Sequence, residues 1–128
     1  MLFRSIKNVK EAKIINMDIL EMKFENSIFD GVLDAGTLFH FTKIEQIKIL
    51  QRIYSILKLE GKIISFYPEG NYEGIQEIEI DGKKLKRYVN LKSIDKWIEL
   101  FEQNKYEYKK EMTCNIGKFR CVLFSKIK

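Results

Sequence analysis

A short polar stretch that follows an apolar run carries the residue types best suited to chemistry. Phe29 to Leu33 has the length and composition of a buried strand, and Asp34, Gly36 and His40 come soon after it. In α/β folds, ligands bind at the carboxyl ends of such strands. A carboxylate, a small-residue loop and the only histidine of the chain therefore predict a ligand site here, with His40 as the candidate general base.

Simpler interpretations of these residues stay open. Asp34 could be a turn acid or the cap of a short helix. His40 could do no more than hydrogen-bond to a nearby backbone group. Asp18, further upstream, could simply end a strand and cap the turn that follows. The two cysteines, Cys114 and Cys121, have no clustered histidine near them and are interpreted as buried thiols. We therefore expect no metal site.

The helix after this stretch has a well-marked start. Thr42 and Glu45 form a Thr-x-x-Glu capping box, and apolar residues then keep helical spacing as far as Leu57. Gly61 predicts the end of the helix, because glycine tolerates the left-handed conformation that a helix stop often needs. Lys62 to Tyr67 predicts the next strand.

Two elements are predicted on the N-terminal side of the stretch. Ala12 to Met17 is short, apolar and β-branched, and predicts a strand that ends at Asp18. Phe3 to Lys10 has apolar residues three positions apart and predicts a short helix. Strands ending at Asp18 and at Asp34 would be parallel neighbours and would aim both carboxylates into one crevice.

The C-terminal half predicts a hairpin, a helix and a second hairpin. Asp81-Gly82 lies between two alternating runs, which predicts an exposed hairpin or lid over Gly70 to Asn90. Ser93 caps a helix whose apolar stripe contains Trp97, interpreted as a core anchor. Two antiparallel strands then close the chain: Lys105 to Cys114 and Lys118 to Ile127.

Size and composition indicate one globular domain over residues 1–128. The chain is 45% hydrophobic and has no apolar run near the ~20 residues of a membrane span, so cytoplasm is the expected location. The net charge is +5, from 23 Lys and Arg against 18 Asp and Glu. This charge fits a solvated surface, and without an RNA-binding signature a nucleic-acid partner is not expected.

Three motifs together resemble the second part of a class I S-adenosylmethionine-dependent methyltransferase. Asp18 to Phe24, followed by Phe29 to Val32, is similar to the acidic turn and fourth strand of that family. Leu57 to Lys62 is similar to its Leu-Lys-Pro-Gly-Gly turn, with leucine and glutamate in place of the proline and the first glycine. Tyr106 to Ile127 is similar to its closing hairpin. The resemblance implies an α/β fold, a truncated Rossmann-like sheet of parallel strands with a C-terminal antiparallel hairpin.

The resemblance also implies S-adenosylmethionine as the cofactor and assigns roles to residues of this chain. Asp18 would accept a hydrogen bond from the adenine amino group, with the Ile19 backbone beside it. Asp34, Ala35 and Gly36 would lie next to the methionine end. The substrate side would be lined by Thr37, Leu38, His40 and Tyr67. Methyl transfer from a sulfonium is a nucleophilic displacement, in which positioning matters more than acid–base chemistry.

The sequence lacks the first βαβ unit of that family, whose Gly-x-Gly-x-Gly loop approaches the methionine part of the cofactor. No glycine precedes Gly31, and about eleven residues precede Ala12, fewer than the ~30 that a βαβ unit needs. The roles of that loop are therefore assigned to no residue here. A start codon further upstream would be one explanation.

In the family fold, the missing first strand lies beside the fourth. The Phe29–Asp34 strand would then have an open apolar edge, which invites pairing with another chain. Three coverings are open: the Ala12–Met17 strand, a second copy of the chain or another polypeptide. An oligomer or a partner chain is the favoured expectation, because both faces of a parallel strand are normally covered.

Two functions follow from this interpretation. The first is a methyltransferase domain with an incomplete cofactor site, which upstream residues or a partner would complete. The alternative is a non-catalytic methyltransferase-like module that scaffolds a protein or binds an anionic partner. The methyl acceptor is not identified. The Gly70–Asn90 hairpin would select it, since lysines suit an anionic or protein substrate and tyrosines a small aromatic one.

Overall fold

The computed structural model describes residues 12–112 and 119–128. The strands within them are β1 (Phe29–Ala35), β2 (Leu57–Pro68), β3 (Tyr72–Ile80), β4 (Lys83–Leu91), β5 (Tyr106–Met112) and β6 (Phe119–Lys126). The α-helices are α1 (Lys43–Ile56) and α2 (Ile94–Glu102), and two short 3₁₀ turns cover Ile19–Glu21 and Leu38–His40.

The main sheet mixes parallel and antiparallel strands. Its order is β1-β2-β6-β5, and β3 and β4 form a separate hairpin. β1 runs parallel to β2, whereas β6 is antiparallel to both β2 and β5. The predicted Rossmann-like sheet with a C-terminal antiparallel hairpin is therefore confirmed. Within the described residues β1 is an edge strand, since it pairs with β2 alone.

The start of α1 confirms the capping box. Thr42 Oγ1 accepts a hydrogen bond from the backbone N–H of Glu45 at 3.3 Å, and Glu45 Oε1 accepts one from the backbone N–H of Thr42 at 3.1 Å. The buried face of α1 includes Ile49, Leu50 and Ile53. The amphipathic spacing therefore packs this helix onto the sheet.

The end of α1 differs from the prediction. The helix ends at Ile56, and the segment from Leu57 to Gly61 begins β2. The left-handed residue is Glu60, with a φ of 65°, and not Gly61. A Cβ on Gly61 would lie 2.7 Å from the Lys58 carbonyl oxygen, so this glycine allows a close backbone approach. β1 pairs with Leu57 and with Lys62, on the two sides of a register shift, and this strand pairing overrides the local helical spacing.

The predicted strand over Ala12 to Met17 is wrong. These residues are exposed and have no strand structure, because β-branched composition produces a strand only where a neighbour pairs with it. The chain after them is held against α1 by Arg52, whose guanidinium donates to the carbonyls of Met22 and Phe24 at 2.8 and 2.7 Å. Ala12–Met17 therefore does not pair with the edge of β1. The helix predicted over Phe3 to Lys10 lies outside the described residues.

The C-terminal half follows the prediction. Asp81 and Gly82 both have positive φ, 51° and 76°, as the tight turn of a two-residue hairpin requires. Ser93 Oγ caps α2 by accepting from the backbone N–H of Lys96 at 3.4 Å. The predicted strands at the end of the chain are β5 and β6, which pair antiparallel; the turn between them lies outside the described residues.

Both helices lie on one face of the main sheet. Trp97 of α2 is fully buried and stacks on Tyr67 of β2 at a centroid distance of 4.4 Å, which confirms it as a core anchor. The Tyr106 hydroxyl of β5 donates to the Leu50 carbonyl of α1 at 2.6 Å. The helices and strands therefore share one core.

The opposite face of the main sheet, called the open face below, includes Leu33, Ile64, Phe66 and Leu123. Strand register sets three of them side by side, because Leu33 pairs with Ile64 and Ile64 pairs with Leu123. Leu33 is 62% exposed. Neither α1 nor α2 covers this face, since the alternate residues of β2 face the helices.

Candidate functional site

Asp34 organises the loop at the carboxyl end of β1. Its Oδ1 accepts hydrogen bonds from the backbone N–H groups of Thr37 and Leu38 at 2.9 and 3.1 Å, and its Oδ2 accepts one from Ser65 Oγ at 2.6 Å. The residue is only 8% exposed. The buried carboxylate therefore fixes the loop against β2, in agreement with its interpretation as a turn acid.

Burial and hydrogen bonding act in opposite directions on this acid. Burial raises the pKa of the Asp34 carboxyl above its ordinary value, because desolvation disfavours the charged form. The hydrogen bonds from Ser65, Thr37 and Leu38 lower the pKa, but by less than burial raises it. The loop is thus held by an acid that burial pushes towards its protonated form.

The network behind Asp34 extends to α2. Trp97 Nε1 donates to Ser65 Oγ at 3.3 Å, and Ser65 donates in turn to Asp34. Sequence reasoning missed this connection. The available signal was a serine between Ile63 and Tyr67 on the buried side of a predicted strand, because a buried hydroxyl needs a partner.

His40 is oriented by the hairpin. Its Nδ1 lies 3.0 Å from the carbonyl oxygen of Tyr88, and its ring packs on Phe39 at a centroid distance of 4.0 Å. A carbonyl oxygen only accepts, so Nδ1 carries a proton, and in the neutral ring the lone pair is on Nε2. The simpler interpretation, a bond to nearby backbone, describes Nδ1. The role of His40 as a general base stays a prediction.

Asp18 and Ile19 reach this region without a second parallel strand. Asp18 caps a 3₁₀ turn, with its Oδ1 accepting from the backbone N–H of Leu20 at 3.0 Å, and its side chain is exposed. Ile19 lines a cavity of about 60 Å³ together with Val32 and Asp34. The prediction that a strand ending at Asp18 runs parallel beside β1 is wrong. The acidic turn nevertheless lies beside the carboxyl-terminal half of β1.

The other predicted site residues divide between the loop and the core. Ala35 and Thr37 are exposed, and Gly36 has a left-handed φ of 80°. Leu38 and Tyr67 are 2% and 0% exposed, and burial raises the pKa of the Tyr67 hydroxyl. Both contact the protein core, and the ligand-binding roles of all five residues stay predictions.

The oxygen atoms of this region suit part of the predicted cofactor. Asp18 Oδ2 accepts no hydrogen bond from the described residues, so it is available to an amino-group donor. Both oxygens of Asp34 already accept hydrogen bonds. A contact at the methionine end would therefore come from the loop that Asp34 holds. The Gly-x-Gly-x-Gly loop is not in the sequence.

A polar cleft of about 420 Å³, called the lysine cleft below, lies between the base of the β3–β4 hairpin, α2 and the start of α1. Sequence reasoning missed it, because its walls come from separate parts of the chain. Its charged and amide side chains include Lys43, Glu73, Asn90, Lys92, Lys96 and Glu99. Asn90 Nδ2 donates to the Phe41 carbonyl at 3.4 Å, which joins the cleft to the segment after His40.

The described residues contain no group of three or more His, Cys, Asp or Glu side chains that could hold a metal ion. Cys121 is buried, with its Sγ 3.9 Å from Met112 Sδ, and Cys114 lies outside the described part of the chain. No described helix is long and apolar enough to cross a membrane.

A parallel strand pair with a loop at its carboxyl end, joined to an antiparallel hairpin, is found in the Rossmann-like fold of class I methyltransferases. Residues 1–65 match a family model described as a methyltransferase domain, which is half of the chain. The chain therefore belongs to the class I S-adenosylmethionine-dependent methyltransferase family. A comparison with curated proteins finds no match.

Solved structures agree on the fold. The 1,6-didemethyltoxoflavin-N1-methyltransferase of Burkholderia thailandensis, with bound 1,6-didemethyltoxoflavin and S-adenosylhomocysteine, is 15% identical with a TM-score of 0.76, over 99% of this chain and 56% of that one. A putative S-adenosylmethionine-dependent methyltransferase from Listeria monocytogenes is 12% identical with a TM-score of 0.70, over 98% and 76%. One from Clostridium acetobutylicum is 7% identical with a TM-score of 0.73, over 98% and 70%. The chain spans about half the length of the first of these enzymes.

Proposed function

We propose that this chain supplies one half of the S-adenosylmethionine site of a methyltransferase, and that methyl transfer needs a glycine-rich unit from outside this sequence. The observation that carries the proposal is the Asp34-held loop at the carboxyl end of β1, with Ile19 of the acidic turn beside it. Family membership supports the same cofactor. The proposed location is the cytoplasm, in keeping with the composition of a globular domain.

Each residue of the half-site has one task in this proposal. Asp18 accepts a hydrogen bond from the adenine amino group through its available Oδ2. Ala35 and Gly36 border the methionine end, and Thr37 faces the substrate. Bound S-adenosylmethionine would supply an electrophilic methyl group on sulfur. The chain contributes positioning, which is the main requirement of a displacement reaction.

His40 is the proposed general base. The hydrogen bond of Nδ1 to the Tyr88 carbonyl turns the ring and keeps the lone pair of the neutral imidazole on Nε2. Nε2 would take the proton that the acceptor loses as it gains the methyl group. The contact with Phe39 holds the ring in that orientation.

We further propose that the polypeptide carrying the glycine-rich unit adds a parallel strand to the edge of β1. Beside that edge lies an apolar groove of about 320 Å³, whose lining includes Ile15, Met17, Phe29 and Val32. The exposed side chain of Leu33 would be buried by the helices of such a unit. The added strand would bring the glycine-rich loop next to the loop that follows β1.

Calorimetric titration of S-adenosylmethionine into the purified chain tests the cofactor half-site. We expect weak binding, in the millimolar range, because only part of the site is present. The variant Asp18→Asn keeps an N-cap side chain but replaces one carboxylate oxygen with an amide NH2 group, which donates hydrogen bonds and does not accept them. It should therefore bind the cofactor several-fold more weakly while the fold is retained.

Asp30→Asn is the matched control, because Asp30 is an exposed acid of β1 that pairs with Lys58 and lies outside the proposed site. Its cofactor binding should equal that of the wild type. If neither the wild type nor Asp30→Asn gives heat up to millimolar S-adenosylmethionine, this chain alone does not bind the cofactor, and the non-catalytic alternative is favoured.

A further inference from the structure

Three lysines of the lysine cleft come from three different parts of the fold. Lys43 begins α1, Lys92 follows β4 and Lys96 lies in the first turn of α2. None of the three forms an ion pair with a described residue. Like charges that converge in one cleft repel each other, and an anion between them would relieve that repulsion.

Lys92 is the most enclosed of these lysines. Its Nζ donates to Asn90 Oδ1 at 2.9 Å, and Asn90 is itself only 4% exposed. Burial lowers the pKa of Lys92, Glu73 raises it, and the charges of Lys43 and Lys96 lower it further. A bound anion would favour the charged ammonium and offset part of this desolvation.

The two acids of the cleft have partners other than these lysines. Glu73 accepts a hydrogen bond from the Tyr88 hydroxyl. Glu99 accepts one from Gln103 Nε2 at 3.3 Å. The cleft therefore holds three ammonium groups and two acids, and each acid already accepts a hydrogen bond from another side chain.

We propose that the lysine cleft binds a small molecule through an oxyanion group, either a carboxylate or a phosphate. A volume of about 420 Å³ is in the range of small-molecule sites. The half-buried position of Lys92 suits a compact group that enters the cleft. Carboxylate and phosphate share the negative oxygens that an ammonium recognises.

The position of the cleft connects this ligand to the reaction. Asn90 donates to the Phe41 carbonyl, and His40 is bonded to Tyr88, two residues before Asn90 on β4. An oxyanion held at Lys92 would anchor its molecule beside the segment that carries His40. The ligand is then the methyl acceptor, an assignment that rests on the proposed function, whereas the anion site itself does not.

Calorimetric titration of the chain with inorganic phosphate and, separately, with malonate tests the site without any cofactor. We expect millimolar binding of at least one of these anions, weakened by added salt. Lys92→Met should weaken it about fivefold, the effect of losing one unit charge at contact distance in water. The two probes distinguish phosphate recognition from carboxylate recognition.

Two further variants keep the test decisive. Lys43→Met combined with Lys96→Met removes two exposed lysines, so the fold is retained even if Lys92→Met does not fold, and anion binding should again be lost or weakened. Lys48→Met removes an exposed lysine of α1 that does not line the cleft, and should bind as the wild type does. Absence of binding to both anions, or equal weakening in Lys48→Met, would overturn the proposal.

Titration with S-adenosylmethionine separates this inference from the proposed function. Anion binding without cofactor binding would keep the oxyanion site and remove its role as an acceptor pocket. Cofactor binding without anion binding would overturn the oxyanion site alone.

Discussion

The two faces of the main sheet carry similar apolar side chains in opposite surroundings. On the face covered by α1 and α2, Trp97 and Tyr67 are fully buried, whereas Leu33 on the open face is 62% exposed. Adjacent residues of β1 divide between the faces, with Asp34 under the helices and Leu33 outside. Near-continuous apolar runs are typical of strands that are buried on both sides. The strands are therefore suited to a sheet that is buried on both faces, and α1 and α2 bury one of them.

The largest expected effect is a loss of stability on the covered face. Trp97→Ala removes the ring that stacks on Tyr67 and donates to Ser65, and should lower the free energy of unfolding by about 3–5 kcal/mol. Leu33→Ala on the open face should change it by less than about 0.5 kcal/mol. Urea unfolding of both variants checks the comparison. Similar losses would mean that the open face is covered within the chain itself.

A second test uses the buried acid of the covered face. Because the folded pKa of Asp34 is raised, the folded state binds more protons than the unfolded state above about pH 3.8. The wild type should therefore lose stability as the pH rises from there through the folded pKa. Asp34→Asn keeps an oxygen for Thr37 and Leu38 but does not titrate, so it should lack this loss.

Urea unfolding of wild type and Asp34→Asn across that pH range measures the difference. Asp30→Asn, which removes an exposed acid of the same strand, serves as the control and should follow the wild type. A difference between Asp34→Asn and wild type that is constant with pH would contradict the assignment of a raised pKa to Asp34.

The smallest expected effect on folding comes from charging the open face. Leu33→Lys should change the free energy of unfolding by less than about 0.5 kcal/mol, but it should reduce self-association of the purified chain, since apolar exposed surface promotes association. Ile44→Lys is the control, because Ile44 of α1 is 81% exposed and lies away from this face. Light scattering during size exclusion measures both. Equal behaviour of the two variants would remove the open face as the site of association.

Features of the fold that depend on local signals were predictable from the sequence. The Thr42–Glu45 capping box, the Ser93 cap and the Asp81-Gly82 turn each form within a few residues of chain. The physical causes are also local, namely unpaired helix N–H groups and a backbone that must turn with positive φ. The elements that begin at these signals are found where they were expected.

Features that depend on distant partners were not predictable. Ala12–Met17 has strand composition but pairs with no strand among the described residues, and the segment after Ile56 becomes a strand because β1 pairs with it. The link from Trp97 through Ser65 to Asp34 joins three elements, so no spacing in the sequence shows it. For the candidate site, the carboxyl end of β1 was predictable, but the lysine cleft was not, because its walls meet only in the fold.

The bonds between the β3–β4 hairpin and the segment after β1 have a consequence for access. Two hydrogen bonds hold β4 in place: one joins His40 Nδ1 to the Tyr88 carbonyl, and the other joins Asn90 Nδ2 to the Phe41 carbonyl. Val89, between these two points on β4, is fully buried. An outward movement of the hairpin would break both hydrogen bonds and expose Val89 to solvent. The hairpin is therefore held in one position and does not move as a lid. Entry of a molecule past the hairpin would depend on rotations of the exposed side chains at its edge.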